Sequence, residues 1–503
     1  MKRLSLYIAF TSFLFLLSCK TTPQEASVSQ VSVEERPIVS AILEDPDSFY
    51  FIDFEDYPEM DKELPIGVFD SGTGGLTVLD ALVRFDQYNN VTKAEGGDRD
   101  PDFSSEKFIY LADQANMPYG NYSSEGKTDL LVEHVLKDAQ FLLSEKYYEE
   151  GAQGSLKKKQ PVKSIVIACN TATAYGAEIL TEFIERTGIE LKVIGVIDAG
   201  ARGTLAAFGK EESGSIGVVA TVGTISSKGY ENTLLRLKDE LGFKGEIQIF
   251  NQGGHGIAEA VDEEPDFINP GLSEVRDDYR GPSFESADFP IDRTLMDIYN
   301  FDFDQGKMLC DSNATDDCQV LQLNAPENYV RYHVVSLLEK IRTTVDPQPL
   351  KAIVLGCTHY PYLTEEIKGV LAELYDYQTG GNYVYRPFMA EDIAIVDPAV
   401  NVAEELYLYM KEKQLFNPGG DMRESEFYIS VPNTSNPEVK TDSQGRFPYD
   451  YKYGRTEGEL QEYVRVVPFS RNNISEETYQ RFKKSIPETY ELIEGQLKDL
   501  TGL

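Results

Sequence analysis

The sequence predicts an α/β protein built from doubly wound parallel sheets. Short apolar strands alternate with helix-forming stretches along most of the chain, as in βαβ units. Two strands, 164–168 and 352–356, are nearly continuous apolar runs, which are typical of strands buried on both faces of a parallel sheet. The chain has 503 residues, more than a single core usually accommodates, so we expect two domains with appendages.

The charge balance excludes some classes of partner. The formal net charge is −37, from 84 acidic and 47 basic residues. A nucleic-acid partner is not expected, because phosphate contacts require a basic surface. The chain has four histidines and neither a C-x-x-C nor an H-x-x-x-H spacing, so no metal site is predicted either. We interpret the charge as a solvated acidic surface.

The N-terminus predicts export. Residues 1–18 combine two basic residues with an apolar run that is too short to span a membrane. The run ends in Leu-Leu-Ser-Cys, which resembles a bacterial lipoprotein signal and implies lipidation of Cys19. The alternatives are an ordinary signal peptide or a chance cysteine. By analogy, Lys20 favours the outer membrane, so we expect a membrane-anchored lipoprotein on the periplasmic side. Residues 19–62 are predicted to be an acidic tether.

The remaining elements follow in chain order. A strand at 66–69 enters a Gly-rich turn and a helix, and a second strand at 108–111 precedes a helix within 127–148. Pro- and Asp-rich residues at about 264–325 predict an insertion, and residues 418–460 predict irregular structure. The other predicted strands are 193–197, 215–220, 246–250 and 393–396, and the other predicted helices are 172–183, 327–342, 398–410 and 475–498.

Two cysteines occupy matching positions in this pattern. Cys169 and Cys357 each follow a buried strand and precede a helix start. Ligands of open α/β sheets bind at this edge, and a helix N-terminus lowers the pKa of a thiol from its free value of about 8.5. The pattern predicts one site with two thiol acid–base groups. To stay reduced in an exported protein, the two Cα atoms must lie more than about 7 Å apart.

Other reactive side chains have simpler interpretations. Cys310 and Cys318 are eight residues apart in a polar segment, which favours a disulfide in an oxidising compartment, the alternative being two unpaired thiols. Asp70 opens the Gly-rich turn and is either a site carboxylate or, as the simpler alternative, a helix N-cap or turn carboxylate. His134 and His333 lie within predicted helices, and we interpret both as structural.

Six motifs, taken together, carry a family resemblance. In this order along the chain, they resemble the aspartate/glutamate racemase superfamily, most closely the glutamate racemases, and the resemblance covers roughly residues 64–262 and 327–410. The tether, the insertion and the long C-terminal tail fall outside it. The motifs are GVFDSGTGGLTVL (67–79), YLADQANMPYG (110–120), VIACNTATAYG (166–176), VIGVIDAGA (193–201), ATVGTISSKGY (220–230) and VLGCTHYPYL (354–363).

The resemblance implies two pseudo-symmetric α/β domains with the active site between them, and no cofactor. One domain would comprise 63–190 and 395–503, and the other 191–394. Cys169 and Cys357 would face opposite sides of the substrate α-carbon, so that one thiolate removes the α-proton and the other thiol returns one. This arrangement suits inversion of a stereocentre, which requires an acid and a base on opposite faces.

The resemblance also assigns supporting roles. Asp70 matches the carboxylate that assists the first cysteine, and His359 matches the imidazole that assists the second. Glu259 is the best match to a functional glutamate, with Glu263 as the alternative. His255, in a Gly-rich turn, is either a pocket residue or a turn residue. Positions that hold the substrate's amino and carboxylate groups match Ser71, Tyr119, Gly120, Asn170, Thr171 and Thr358.

The sequence therefore predicts a cofactor-independent amino-acid racemase, acting on glutamate first and on aspartate or another amino acid second. Asn116 stands where the family commonly has an arginine, which bears on side-chain specificity. The alternatives are a catalytically silent amino-acid-binding lipoprotein, and a hydrolase or phosphotransferase, which the lack of a P-loop lysine disfavours. A homodimer is expected by analogy. Relatives make D-glutamate for peptidoglycan in the cytoplasm, so export implies extracytoplasmic amino acids or wall fragments as substrates, unless the lipoprotein assignment is wrong.

Overall fold

The computed structural model describes residues 32–151, 155–261, 266–312, 318–443 and 445–501. The predicted signal peptide, Cys19 and Glu263 lie outside these ranges. Within them, no helix is both long and apolar enough to cross a membrane.

Strands and helices alternate through both halves of the chain. The strands are β1 (Ile66–Asp70), β2 (Phe108–Ala112), β3 (Lys146–Tyr148), β4 (Leu156–Lys158), β5 (Ser164–Ile167), β6 (Lys192–Gly195), β7 (Gly214–Ala220), β8 (Ile247–Gly253), β9 (Met308–Cys310), β10 (Leu321–Leu323), β11 (Leu350–Gly356), β12 (Gln378–Thr379), β13 (Asn382–Tyr383), β14 (Met389–Val396), β15 (Glu426–Pro432) and β16 (Val464–Pro468). The helices are α1 (Pro37–Leu43), α2 (Leu76–Val83), α3 (Gly120–Ser124), α4 (Thr128–Leu143), α5 (Asn170–Thr187), α6 (Val196–Ala206), α7 (Val222–Ser226), α8 (Gly229–Glu240), α9 (Ile257–Val261), α10 (Met296–Tyr299), α11 (Pro326–Thr343), α12 (Thr364–Asp376), α13 (Pro398–Lys413), α14 (Tyr449–Gly454), α15 (Glu476–Ser485) and α16 (Pro487–Thr501).

The first sheet has the strand order β16-β15-β2-β1-β5-β6. All neighbouring strands are parallel except β15 and β16. Every residue of β1, β2 and β5 is buried, because helices cover both faces. Val68 belongs to one core with Leu79 of α2, whereas Phe69 belongs to another core with Leu136 of α4. The prediction that the first cysteine strand is buried on both faces is confirmed.

The second sheet has the order β14-β11-β7-β8 and is entirely parallel. Val218 and Val354 join the core that contains Val68, whereas Val219 and Leu355 pack into a separate core with α11 and α12. The shared core connects the two sheets through α6, α8 and α13. Two helix-covered parallel sheets confirm the predicted α/β fold class.

Two strands lie, wholly or in part, in a different half from the one that the predicted domain boundaries assign to them. β6 pairs with β5 in the first sheet, although it falls in the predicted domain 191–394. β14 pairs with β11 in the second sheet, although its last two residues fall in the segment assigned to the first domain. The chain therefore passes from one sheet to the other after Gly195 and after Val396, just before α6 and α13.

The C-terminal segment is more regular than predicted. Residues 418–460 include β15, which extends the first sheet by pairing with β2, and α14. The final helix predicted over 475–498 is two helices, α15 and α16, separated at Ile486. Pro487 follows that residue, and the residue before a proline disfavours helical backbone.

The described part of the predicted tether is docked on the first half. α1 buries Ile38, Val39 and Ile42 in the core that contains α4. Arg36, whose side chain is fully buried, forms ion pairs with Glu457 at 2.6 Å and with Asp129 at 3.3 Å. The acidic composition suggested a free linker, but these apolar and ionic contacts attach residues 32–62 to the domain.

The predicted insertion is packed against the second half rather than structureless. Phe267, Ile291 and Leu321 share a core with α11, and β9 and β10 form a small antiparallel pair. A disulfide joins Cys310 to Cys318, with their Cα atoms 5.6 Å apart, as predicted. This bond closes the polar end of the β9–β10 pair.

Candidate active site

The two cysteines lie at the carboxyl ends of strands in different sheets. Cys169 follows β5 and caps the N-terminus of α5, and Cys357 follows β11. The two halves meet at these strand ends. Tyr230 of α8 donates a hydrogen bond to the Asn170 side chain at 3.0 Å, and a Cβ placed on Gly74 would lie 3.3 Å from Thr358 Oγ1. The described residues thus form a cleft of the kind that open α/β sheets use for ligands.

Cys169 is held by its own helix and by the Gly-rich turn. Its side chain is 7% exposed. The backbone N–H of Ala172 donates to its Sγ at 3.4 Å, and the thiol lies 3.6 Å from the Ser71 hydroxyl. These contacts direct the sulfur toward the turn that follows β1.

The Gly-rich turn holds the Asp70 carboxylate beside this thiol. Asp70 Oδ2 accepts hydrogen bonds from the N–H groups of Gly72 at 3.2 Å and Gly75 at 2.9 Å. A Cβ on Gly75 would lie 2.5 Å from the Asp70 Cβ, so only glycine permits this approach. Asp70 is not a helix N-cap, because the residue that precedes α2 is Gly75, but its hydrogen bonds are those of the turn carboxylate that was the other part of the alternative.

The pKa of Cys169 shifts in the direction opposite to our prediction. Burial, followed by the negative charge of Asp70, raises the pKa of the thiol to about 12, and the N–H of Ala172 offsets only part of this rise. Burial also raises the pKa of Asp70, against the N–H groups of Gly75 and Gly72. The ligand-free site therefore holds Cys169 as a neutral thiol at pH 7, which suits it to donate a proton.

Cys357 has a different partner. Its Sγ lies 3.7 Å from His359 Nδ1, and its side chain is also 7% exposed. His359 follows two residues later, just before a short 3₁₀ helix at Tyr360–Leu363. Nδ1 of a neutral imidazole can accept the thiol proton, which leaves a thiolate beside an imidazolium. This pair is suited to removing a proton.

The predicted substrate-binding side chains divide into two groups. Ser71, Asn170, Thr171 and Thr358 are partly exposed at the strand ends, where the two halves meet. The Tyr119 hydroxyl instead lies within hydrogen-bond distance of the buried carboxyl groups of Asp113, at 2.6 Å, and Asp138, at 2.7 Å. Only the main chain of Tyr119 and Gly120 remains to contact a substrate, and Gly120 faces Gly223 of the second half.

The remaining candidates lie around α9 and the insertion. Glu259 is partly buried in α9, near Tyr360, whose pKa is raised first by burial and to a smaller extent by neighbouring groups that include Glu259. His255 Nε2 lies 2.8 Å from the carbonyl oxygen of Arg280, and the ring stacks on Phe289. Contacts with the insertion therefore hold the His255 ring within its turn, and its role as a pocket residue stays a prediction.

The two helical histidines are structural, as we interpreted them. His134 in α4 is buried, and burial holds its pKa well below the usual range. His333 in α11 is buried, with its ring nitrogens 2.9 Å from Gln252 Nε2 and from the carbonyl oxygen of His255. Among the described residues, the only compact group of metal-ligand type is Cys310, Asp311 and Cys318, and its two sulfurs form the disulfide.

Sequence reasoning missed two contributors to the cleft. Tyr230, the last residue of the motif 220–230, has no role predicted from the sequence, yet it connects the halves through Asn170. Residues of α15 line a cavity of about 850 Å³ together with Thr73, Gly74 and His359. Nothing in the α15 sequence indicates this position, because it depends on how the C-terminal segment packs across both halves.

Fold and site together define a class: a two-sheet α/β protein whose cleft holds one buried thiol from each half. Comparisons with known proteins indicate which class of enzyme this is. No protein-family model matches the chain. A glutamate racemase from Lactobacillus johnsonii is 26% identical over 352 residues, which cover 70% of this chain and 83% of that protein. A glutamate racemase from Oceanobacillus iheyensis is 35% identical over 186 residues, which cover 37% of this chain and 51% of that protein.

A solved structure is also similar. The glutamate racemase isoform RacE1 from Bacillus anthracis aligns with 73% of this chain and 89% of its own, at 22% identity and a TM-score of 0.41. The sequence relatives support a place for this chain in the amino-acid racemase superfamily, a class of isomerases.

Proposed function

We propose that this protein is a cofactor-independent amino-acid racemase that interconverts L- and D-glutamate with two cysteines. The observation that carries the proposal is the pair of buried thiols, one from each half, each beside its own acid–base partner. A binding protein has no need of this arrangement. We propose glutamate as the substrate because the sequence relatives are glutamate racemases.

The chemistry needs one proton transfer on each face of the α-carbon. The Cys357 thiolate, formed when His359 takes its proton, removes the α-proton and becomes a thiol. The electron pair stays on the α-carbon, and the Cys169 thiol then donates its proton to the opposite face. Atoms and charge balance, and the reverse reaction starts from the Cys169 thiolate, with Asp70 beside it.

The substrate groups are held by the partly exposed side chains at the strand ends. Ser71, Asn170, Thr171 and Thr358 offer hydroxyl and amide donors that suit carboxylates. Donors already in place stabilise the negative charge that develops when the α-proton leaves. In this proposal Glu259, which lies in the second half near Tyr360, transfers no proton. Its role is to position neighbouring groups of the site.

We also propose that the protein is exported and anchored through Cys19. The N-terminal sequence motivates this proposal, and the Cys310–Cys318 disulfide supports it, because such bonds persist in oxidising compartments. Metabolic labelling with a palmitate analogue should mark the wild-type chain and not the Cys19→Ala variant. Equal labelling of both would contradict the anchor. The homodimer stays a prediction.

The test of the reaction is α-proton exchange. The chain from residue 20 onward is incubated with L- or D-glutamate in deuterated water under mild reduction, and loss of the α-proton is followed by NMR together with optical rotation. We expect exchange with racemisation, and we expect Cys169→Ala or Cys357→Ala to reduce racemisation about 10²–10⁴-fold, the contribution of one general acid–base group.

The matched control is the double variant Cys310→Ala/Cys318→Ala, which removes the other two described cysteines and should leave exchange intact. Exchange with aspartate alone would keep the mechanism and change the substrate. Binding of amino acids without exchange by the wild-type protein would overturn the racemase proposal in favour of a binding lipoprotein.

A further inference from the structure

One cavity beside His359 has a charge balance opposite to that of the whole chain. Acidic residues outnumber basic ones by 84 to 47 overall. Among the residues that the structure describes, the cavity of about 850 Å³ beside His359 is lined instead by three cationic side chains, Arg446, Arg481 and Lys484, and by one acidic side chain, Glu477. We call this cavity the vestibule. The described part of its wall is opposite in charge to the chain as a whole, and it lies beside His359.

The vestibule adjoins the proposed catalytic groups directly. Thr73 and Gly74 of the turn that holds Asp70 form part of its wall, as does His359 beside Cys357. Gly74 in turn faces Thr358 of the second half. An amino acid entering the cleft from this side passes the cationic wall before it reaches the thiols.

Two of these cations, Lys484 and Arg446, are available to act on a passing anion. Lys484 is exposed and forms no ion pair with any residue that the structure describes. Arg446 is largely exposed, and its pairing with Asp442 is a single contact at 3.3 Å. In water such a pair contributes little, so it neutralises the guanidinium only in part.

From this arrangement we propose that α15 and Arg446 form an electrostatic entry site that selects amino acids with an anionic side chain. The inference rests on the proposed racemase function and adds a specificity element that the C-terminal segment supplies. The vestibule is wide enough to stay solvated, so the cations act through their field rather than through fixed contacts. A cleft of one sign raises the local concentration of the opposite charge.

This mechanism makes a distinctive kinetic prediction. A field at the entrance changes the encounter with substrate and leaves the proton transfers unaffected, so it appears in KM and not in kcat. It is weakened by salt, because the Debye length is about 10 Å at 0.1 M and about 3 Å at 1 M. Glutamine has nearly the same shape as glutamate but no side-chain charge. Its KM should therefore not depend on this field.

The experiment compares Lys484→Ala with Lys483→Ala. The two lysines are neighbours on α15, both are exposed, and each substitution changes the net charge equally, but only Lys484 lines the vestibule. KM and kcat are measured for L-glutamate and L-glutamine at 20 mM and 500 mM salt. The double variant Arg481→Ala/Lys484→Ala enlarges the effect.

We expect Lys484→Ala to raise KM for glutamate roughly threefold at low salt, and the double variant roughly tenfold, with kcat within about twofold of wild type. The increase should shrink at high salt and be absent for glutamine and for Lys483→Ala. An equal effect of both lysines, or an equal effect on glutamine, would overturn the proposal.

Failure of the racemase proposal is distinguishable from failure of the entry site. If the wild-type protein exchanges no α-proton, the same four proteins are compared by calorimetric binding of glutamate and glutamine. A loss of glutamate affinity confined to the vestibule variants would then support the entry site alone. Unchanged affinity in those variants would reject it.

Discussion

Cys169 and Cys357 occupy matching positions at the ends of strands in two sheets, yet their surroundings differ in charge. Cys169 adjoins the carboxylate of Asp70, which two N–H groups of the Gly-rich turn hold in place. Cys357 adjoins the imidazole of His359, which follows it in the same turn. The carboxylate opposes ionisation of its thiol, whereas the imidazole can promote it. Equivalent positions therefore place one thiol beside a carboxylate and the other beside an imidazole, which suits the two thiols to opposite roles in proton transfer.

The largest expected difference between the two thiols is in their reactivity with iodoacetamide. Only the thiolate reacts, and burial beside Asp70 raises the pKa of Cys169 to about 12. Its alkylation should rise about tenfold per pH unit between pH 8 and pH 10, and at pH 8.5 be on the order of 10³-fold slower than that of a free thiol with a pKa of about 8.5. Peptide mass spectrometry measures both cysteines in one sample.

The Asp70→Asn variant checks the cause of that difference. Removing a negative charge that opposes the thiolate lowers the pKa of Cys169, so its alkylation should accelerate at a given pH while Cys357 changes little. The denatured protein calibrates the intrinsic rates. If Cys169 alkylation in the wild type levels off below pH 9, the assignment of Cys169 as the neutral thiol is wrong.

The next largest effect distinguishes the roles of Asp70 and His359 during turnover. Asp70→Asn and His359→Gln should each lower kcat about 10²-fold, the lower end of what an acid–base group contributes. The α-deuterium isotope effect should increase for opposite enantiomers, because Asp70 accepts the thiol proton when Cys169 is the base, whereas His359 accepts it when Cys357 is the base. Rates are measured with each deuterated enantiomer.

The control for these variants is His255→Gln, which changes an imidazole stacked on Phe289 outside the cysteine pair. Its kcat should stay within about twofold of wild type. If Asp70→Asn and His359→Gln affected the same enantiomer, the assignment of one partner to each thiol would fail.

The smallest effect concerns stability rather than chemistry. The double variant Cys310→Ala/Cys318→Ala removes a bond that closes a short loop in the insertion. Loop-closure entropy gives about 2 to 3 kcal/mol of destabilisation for a loop of this length. Urea unfolding measures the loss, and hydrogen exchange locates it.

We expect the loss of amide protection in β9, β10 and the adjacent part of α11, with β1 and β5 unchanged. Equal loss of amide protection in both sheets would show that the halves unfold as one unit. The two halves would then not differ in their local stability.

Much of the architecture could be predicted because its signals are local. Continuous apolar runs predicted β5 and β11, and the residues after each cysteine predicted a helix start or turn. The spacing of Cys310 and Cys318 predicted their bond. Errors arose where composition and packing disagree. The acidic segment before Ile66 docks through buried apolar residues and Arg36, and the insertion packs against α11.

The sequence by itself determined the alternation of strands and helices, the positions of both thiols and the pairing of Cys357 with His359, because each depends on residues that are neighbours in the chain. Only the tertiary structure decided the protonation of Cys169, the packing of His255 and the cationic wall that α15 places beside His359. Burial and long-range electrostatics depend on which distant segments come together, and no local pattern encodes that choice.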